Sequence, residues 1–525
     1  MSSTNPLPST DQRPELVFAL VGGAGTRLND LSDALKSKLR MFGYQTVDIR
    51  LSDLLVNFTG WSEQSGTSKF DSIRHRQNMG NAFREQLHRG DAMALAGIME
   101  LQATRAKILA NRDKAVSPRA YILHQLKHPA EVDLLRTVYG SSFLLIAGHA
   151  PRNDRMLGLA RQMAESARQS GQENHYIDQA SKVIEIDQKE DDIFGQNVRD
   201  TYPQADFFAN LGKPEGQFEV WRFVELLFGH PAHTPLPDEY AMYNAHAVSL
   251  RSSDDNRQVG AVILSIDDPL NINNLRKADV IAVGMNEVPR GGGGLYWENA
   301  TPDSRDQYLL ANRENRAAAI KISVLTELIE RIIEKKWLQE AIARKPSSEL
   351  ADILLENLKG TQFLNIGEFS RPVHAEMAAL IDAARRGVAV DGHSMYVTTF
   401  PCHNCAKHII AAGIRRVVYL EPYPKSRTVS LYREEINPES LLGKEEDRKV
   451  VFFAFTGIAP RQYGQLFSMA ERGAKKGNSL PKWNWDAEHN SLSPLYVTRN
   501  ASSLYLAAED QELKSLPHDI YHRPT

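Results

Sequence analysis

Two cysteines are all that this chain of 525 residues carries, and they stand together in Pro401-Cys402-His403-Asn404-Cys405. Upstream lies His374-Ala375-Glu376. Imidazole and thiolate are favoured zinc ligands, and a catalytic zinc keeps one of its four positions open for water. His374, Cys402 and Cys405 therefore predict a three-ligand Zn2+ site with one free position. Glu376, two residues from the histidine, is left over as a carboxylate able to move protons. Cysteines three apart share one face of a helix, and a helix N-terminus favours the thiolate form that a metal needs. C-x-x-C also serves as a redox pair or as half of a structural zinc site. No thioredoxin-like context surrounds this pair, and no third cysteine exists to close a structural site, although histidines are available.

The elements that must position these groups can be read on either side of them. Pro401 suits the first turn of a helix; Ala406 to Ala412 continues in helical spacing, and Gly413 is placed to end it. Met377 to Arg386 forms the second predicted helix, closed by Gly387 and preceded by Pro372. Ser394 to Phe400 (SMYVTTF) and Arg416 to Leu420 (RVVYL) read as strands. A helix, strand, helix, strand order predicts parallel strands with both helices on one face. Their N-termini would then converge on one zinc.

His-x-Glu followed by Pro-Cys-x-x-Cys is the pattern of zinc deaminases that act on nucleobases. HAEMAAL and MYVTTFPCHNCAKHIIAAGIRRVVYLEPYPKS are similar to deoxycytidylate (dCMP) deaminases. The resemblance covers about residues 240 to 470, including AHAVSLRSSDDNRQVGAVI (245–263) and GMNEVP (284–289). Phe400 fits the dCMP group; transfer-RNA adenosine deaminases usually carry Glu there. The resemblance implies that Glu376 shuttles protons, that Asn286 meets the sugar, and that Arg251 and Ser252 lie near the phosphate end. Read as residues alone, Arg251 could equally be a solvated helix-end cation, and Asn286 a turn residue. Residues 291–370, opening with four glycines, read as an insertion, and Glu327 to Lys345 within it as a charged amphipathic helix.

The N-terminal half alternates strands and helices. Leu16 to Val21, Tyr44 to Leu51, Ala120 to Gln125, Phe143 to Gly148 and Asp206 to Asn210 are the expected strands, with a helix from about Asp30 to Met41. Such alternation predicts a parallel α/β domain. Gly22-Gly23-Ala24-Gly25-Thr26-Arg27 lies between the first strand and the first helix, where backbone N–H groups can cradle phosphates. Gly22, Gly25, Thr26 and Arg27 are its candidate nucleotide-binding residues. The loop departs from G-x-x-x-x-G-K-[ST] in having no lysine, and a tight turn that binds nothing fits it as well. Gly80 to Arg84 (GNAFR), His128 to Val132 (HPAEV) and Arg152 look like parts of a P-loop nucleotide kinase, or are cap and core residues.

The fold class expected is thus α/β, with an N-terminal P-loop nucleotide-kinase-like parallel domain (15–228), a linker at 229–238, and a C-terminal cytidine-deaminase-like α/β/α domain (239–475). A disordered lead-in (1–14) and a C-terminal extension (476–525) complete the division. This combination resembles the bacterial anti-phage dCTP deaminases, in stretches that include GQNVRDTYPQADFF (195–208) and FTGIAPRQYGQLF (455–467). The resemblance implies deamination of dCTP and dCMP during infection, which starves phage replication. It also implies control by an inhibitory small RNA in several such systems, and assembly into homo-oligomers. Editing of cytosine or adenine in RNA or DNA would use the same zinc chemistry, and a non-catalytic nucleotide- or RNA-binding regulator is a third reading.

A net charge of −3, from 62 basic and 65 acidic side chains, favours free nucleotides over a polymer, which calls for a basic surface. Arg152 to Arg161 and Arg313 to Arg316 are the local basic segments, best read as solvated helix faces. No run of about 18 apolar residues predicts a membrane span. The polar, proline-rich start is neither a signal peptide nor an anchor. Two cysteines, both assigned to metal, place the chain in a reducing cytoplasm.

Overall fold

The computed structural model describes residues 13–62, 68–110, 118–188, 195–212, 216–254, 257–267, 277–298, 300, 303–305, 316–358, 361, 370–423, 426–438, 449–469, 492–497 and 501–522. Most of the expected lead-in, residues 313–315 of the second basic segment and much of the expected C-terminal extension lie outside them. The strands among them, in chain order, are β1 (Leu16–Val21), β2 (Gln45–Arg50), β3 (Arg119–His124), β4 (Phe143–His149), β5 (Phe207–Asn210), β6 (Gly260–Ile266), β7 (Ala278–Met285), β8 (Ser394–Thr399), β9 (Arg416–Glu421), β10 (Ile436–Pro438), β11 (Val450–Ala454) and β12 (Gly457–Ile458). No described helix is long and apolar enough to cross a membrane.

The chain divides into two units. The first holds residues 1–243 and 454–525 with Leu420–Pro422, and the second 244–419 and 423–453. The first unit is built on a sheet of order β12-β5-β4-β1-β3-β2. β1 pairs parallel with β3 and β4, β2 with β3, and β4 with β5; β12 alone is antiparallel, on β5. β1, β3 and most of β4 are buried on both faces, as runs such as LVFALV require of central parallel strands. The Leu28–Met41 helix packs Leu31, Leu35 and Leu39 into a core with Phe18, Leu20, Phe223 and Leu227, all buried. Burying each such side chain contributes roughly 1.5–3 kcal/mol before entropy is counted.

The boundary differs from the expected linker at 229–238. Glu239 is fully buried within the first unit, bound by both Arg222 guanidinium nitrogens at 2.7 and 2.9 Å and by the Ile458 N–H of β12 at 2.9 Å. The segment read as a linker is therefore held at its far end. Residues 454–469 return to the first unit as β12 and the Pro460–Phe467 helix, where Arg461 and Gln462 reach Asp206.

The second unit is a six-stranded sheet of order β10-β11-β9-β8-β6-β7, in which β6 pairs antiparallel with both β7 and β8. Its site-bearing helices are Ala375–Arg385 and His403–Ala411. The first packs on β6 and β7 and touches the second. Within the insertion, the helix expected at 327–345 instead spans Arg316–Glu334. It ends where Lys336 takes a left-handed conformation (φ 55°), and a separate helix, Ser347–Asn357, packs against it through Leu325, Ile329 and Ala351.

Candidate functional site

His374 is the N-cap of the Ala375–Arg385 helix, and Cys402 the N-cap of the His403–Ala411 helix; both have extended backbone. Glu376 and Cys405 lie in the first turns that follow. Cys402 thus sits one step earlier than the helical spacing suggested, and Pro401 precedes the helix rather than opening it. Gly387 and Gly413 follow their helices with φ of 67° and 76°, the left-handed backbone expected of helix stops.

Four features fix this frame. Glu287 and Val373 exchange backbone hydrogen bonds, N–H to O at 3.3 Å one way and 3.0 Å the other, so the loop after β7 holds the residue before His374. The Pro401 carbonyl accepts from the Ser426 and Thr428 hydroxyls at 2.8 and 3.0 Å, which anchors the approach to Cys402. Phe400 is wedged edge-on against Tyr419 and tilted against Phe452. Gly284 lets the first helix sit directly on β7; a Cβ there would lie 2.2 Å from the Ala375 carbonyl oxygen and 2.3 Å from the Ala379 nitrogen.

The result gathers the predicted ligands. His374 Nδ1 lies 3.4 Å from Cys402 Sγ and 3.3 Å from Cys405 Sγ, and all three donor atoms fall within 4.8 Å of one another. Ligands at zinc–nitrogen and zinc–sulfur distances in a tetrahedron stand about 3.6–3.8 Å apart. The donor set and its spacing fit a zinc ion. Glu376, 4% exposed, is buried beside it.

The electrostatics are those of a site built for a cation. A hydrogen bond from Cys405, opposed by burial and helped by His374, pushes Cys402 down to about 4. The hydrogen bond to Cys402 and burial push Cys405 well above the ordinary thiol range. His374 is pushed up to about 8, first by its hydrogen bond to Cys402. Burial, then the Cys402 thiolate, lifts Glu376 to about 7. A dication held by these donors would favour both thiolates and the carboxylate.

Asn286, Ser252 and Arg251 are brought together at the edge of this frame; Asn286 and Ser252 spend their polar atoms on the protein, whereas Arg251 Nε is buried without a hydrogen-bond partner. Asn286 Oδ1 accepts from the Val259 N–H at 2.7 Å, and Nδ2 donates to the Arg257 carbonyl at 2.8 Å. The Ser252 hydroxyl donates to the Asn286 carbonyl at 2.6 Å. Arg251 donates to the Tyr296 carbonyl at 3.1 Å, and its guanidinium lies 3.3 Å from the centre of the Trp297 ring.

Three further residues escaped sequence reasoning. Glu287 is buried and accepts from the Ser253 N–H and hydroxyl and from its neighbour's Val288 N–H, which ties residues 252–254 to the loop after β7. Asp254 adds to the field that favours charged His374. Tyr423 is held above the usual phenol range by burial and then by the Cys402 thiolate. Its only signal in the sequence was its place in EPYPKS.

In the first unit, Gly22, Gly25, Thr26 and Arg27 form the turn after β1, with Gly25 at φ 85°. The Ala24 N–H donates to Asp187 at 2.6 Å, and Lys127 pairs with the other oxygen of that carboxylate. Arg155 donates to the Ala24 carbonyl, and Arg27 to the Leu211 carbonyl at 2.8 Å. The GNAFR and HPAEV stretches meet in the core: buried Arg84 faces buried Glu131 at 3.6 Å. Glu131 also caps its helix by accepting from the Lys127 and His128 N–H groups.

Residues 236–421 match the family described as the cytidine and deoxycytidylate deaminase zinc-binding region. A deaminase-type domain is therefore supported over just over a third of the chain. Enterobacteria phage T4 deoxycytidylate deaminase is 47% identical over 55 residues, 10% of this chain and 28% of that protein. ComE operon protein 2 of Bacillus subtilis is 48% identical over 54 residues, 10% and 29% respectively, and human deoxycytidylate deaminase 47% over 47 residues, 9% and 25%. The chain spans less than a third of the length of these curated relatives. Among solved structures, the dCMP deaminase of cyanophage S-TIM5 in apo form aligns over 42% of this chain and 100% of that one, at 15% identity and a TM-score of 0.22.

Proposed function

We propose that the second unit catalyses zinc-dependent hydrolytic deamination of free deoxycytidine nucleotides, dCMP, dCTP or both, to their uracil forms. The observation that carries this reading is a fully framed His374, Cys402, Cys405 triad with the buried carboxylate of Glu376 beside it. His374, Cys402 and Cys405 would hold the ion, which when bound would supply Lewis-acid polarisation and a nucleophile at neutral pH. Glu376 accepts one proton from the attacking water and delivers it to the ring nitrogen, then carries the remaining hydroxyl proton to the departing amino group. The water oxygen ends on the ring carbon, and ammonia leaves. A buried carboxylate two residues from a ligand histidine is placed for both halves of that task.

Asn286, Ser252 and Arg251 act in this reading by ordering residues 251–259 against 284–297, and the sugar and phosphates are assigned to that side. The Gly22–Arg27 turn lies at the C-terminal end of β1, where strand order reverses between β3 and β4 and ligands of open α/β sheets bind. We assign it a nucleotide of regulatory function. Depletion of deoxycytidine nucleotides in antiviral defence, restraint by a small RNA, homo-oligomeric assembly and a cytoplasmic setting belong to the same proposal.

The test is turnover. RNase-treated, zinc-loaded protein is incubated separately with dCMP, dCTP, CMP and cytidine, beside Glu376→Gln, and ammonia and uracil products are quantified. Deamination of a deoxycytidine nucleotide, reduced at least about 10²-fold in Glu376→Gln at unchanged zinc content, is the expected result. Identical rates in both proteins, or turnover of oligonucleotides alone, would overturn it.

A further inference from the structure

A second cluster of metal-ligating side chains lies in the first unit, in residues that the deaminase reading does not use. Glu225 stands in the last turn of the Gly216–Leu227 helix. The helix stops at Gly229, whose φ of 82° turns the chain. The His230 N–H caps it by donating to the Glu225 carbonyl at 2.9 Å. His230-Pro231-Ala232-His233 then folds back, and the Ala232 N–H donates to His230 Nδ1 at 3.2 Å. The two imidazoles stack with centroids 4.0 Å apart and planes 27° apart. His233 Nε2 meets Glu225 Oε2 at 2.5 Å.

We propose that Glu225, His230 and His233 form a second divalent transition-metal site, distinct from the cysteine-containing centre. One ligand atom from each residue falls within 4.8 Å of the others. Nitrogen and oxygen ligands at zinc distances stand about 3.4 Å apart in a tetrahedron, and because a metal lies in the plane of each ligating ring, the stacked imidazoles must swing apart at one edge to seat an ion. Two imidazoles and one carboxylate suit zinc, cobalt and nickel. They leave one position for water, as do the three-ligand sites of hydrolytic zinc proteins.

The surroundings supply the outer support such ligands need. Lys38, almost wholly buried, holds Glu225 Oε1 at 2.5 Å and so leaves Oε2 as the oxygen turned to the histidines. The Lys38 charge offsets that of Glu225 and weakens the site relative to an unpaired carboxylate. The affinity expected is therefore that of an exchangeable ion rather than a folding zinc. His230 and His233 are only partly buried, which gives an ion access from solvent. An ion there would pin the segment between the Gly216–Leu227 and Pro237–Ser249 helices.

The experiment separates the two centres by their ligands. Full-length protein carrying Cys402→Ser and Cys405→Ser is titrated with Co2+, and metal content is measured after gel filtration. Thiolate-to-cobalt absorption in the near ultraviolet is absent without the cysteines, so bound cobalt shows only ligand-field bands. One equivalent of cobalt is expected, with a bound spectrum of nitrogen and oxygen ligands. Adding His230→Gln with His233→Gln should weaken its binding at least tenfold, while circular dichroism stays that of the parent. Glu225→Gln alone tests the carboxylate where the double histidine change disturbs folding. No cobalt above background in the cysteine-free protein, or an equivalent that survives both sets of changes, would show a Glu–His hydrogen bond and nothing more. Because no turnover is read, failure here leaves the deaminase proposal standing, and the reverse holds equally.

Discussion

Adding one methyl group at Gly284 should dismantle the candidate centre without touching any of its ligands. The Gly284 backbone lies under the helix whose N-terminus carries His374 and Glu376. A Cβ built there falls 2.2 Å from the Ala375 carbonyl oxygen and 2.3 Å from the Ala379 nitrogen, against 3.4 Å for ordinary contact. Both obstacles are main-chain atoms, so no side-chain rotation and no compensating substitution opposite can relieve them. The helix must recede from β7 by about 1.2 Å, or the strand must bend away by as much. Overpacking of this kind costs about 1–3 kcal/mol. A misplacement near 1 Å of catalytic groups costs about 10²-fold in rate. In Gly284→Ala we expect zinc content below one equivalent per chain, a lowered unfolding midpoint, and turnover down by two orders of magnitude or more. Zinc stoichiometry, thermal unfolding and the nucleotide assay read these separately. A variant with full zinc and unchanged turnover would refute the claim that this close approach sets the position of His374 and Glu376.

Glu131→Ala leaves Arg84 as an uncompensated charge in the core of the first unit and removes a helix cap; a loss of about 3–5 kcal/mol is expected in denaturant unfolding, and a loss below about 1 kcal/mol would count against the pair. The Glu225 carboxyl is opposed by burial but held below its ordinary range by His233 and Lys38. Its depressed folded value means that this stabilisation is present above the unfolded carboxyl value of about 4.3 and is lost as pH falls through the lower folded one. The acid limb of an unfolding-against-pH profile should therefore flatten in Glu225→Gln. A chain ending at Phe453 loses β12, the Ile458 contact to Glu239, and Arg461 and Gln462 from Asp206. Its first unit should unfold earlier than in the full chain by calorimetry, and an unchanged transition would show that the returning segment is dispensable.

What the sequence made legible follows from how far each determinant acts along the chain. Five of the six strands in the first unit's sheet were readable to within a residue or two, and for β1, β3 and β4 the reason is that parallel strands buried on both faces must be continuous apolar runs; the short antiparallel β12 was not. The candidate zinc ligands were readable because His-x-Glu and Pro-Cys-x-x-Cys are local patterns at helix starts, where chemistry and backbone direction are set by adjacent residues. The frame that brings the two patterns together was not readable. The Glu287–Val373 bridge spans the whole insertion, and the fit of Gly284 against Ala375 depends on a backbone approach that no composition announces.

The same distinction explains the differences from expectation. The Phe228 to Asp238 stretch has the prolines and turn formers of a linker, yet Glu239 beyond it is captured by Arg222 and by Ile458, 219 residues away. The GNAFR and HPAEV stretches read either as parts of a substrate site or as cap and core residues, and the burial of Arg84 and Glu131 against each other matches the second. The resemblance implies that Asn286 and Arg251 meet a nucleotide; the hydrogen bonds they make within the chain run to the backbone of residues 257–259 and 295–296. Short-range pattern names the chemistry a residue is capable of, while the partners it meets across the fold decide whether that chemistry faces a ligand or holds the chain together. His374, Cys402, Cys405 and Glu376 are where the two agree: the motif supplies the donors, and the contacts around them leave those donors turned toward one another.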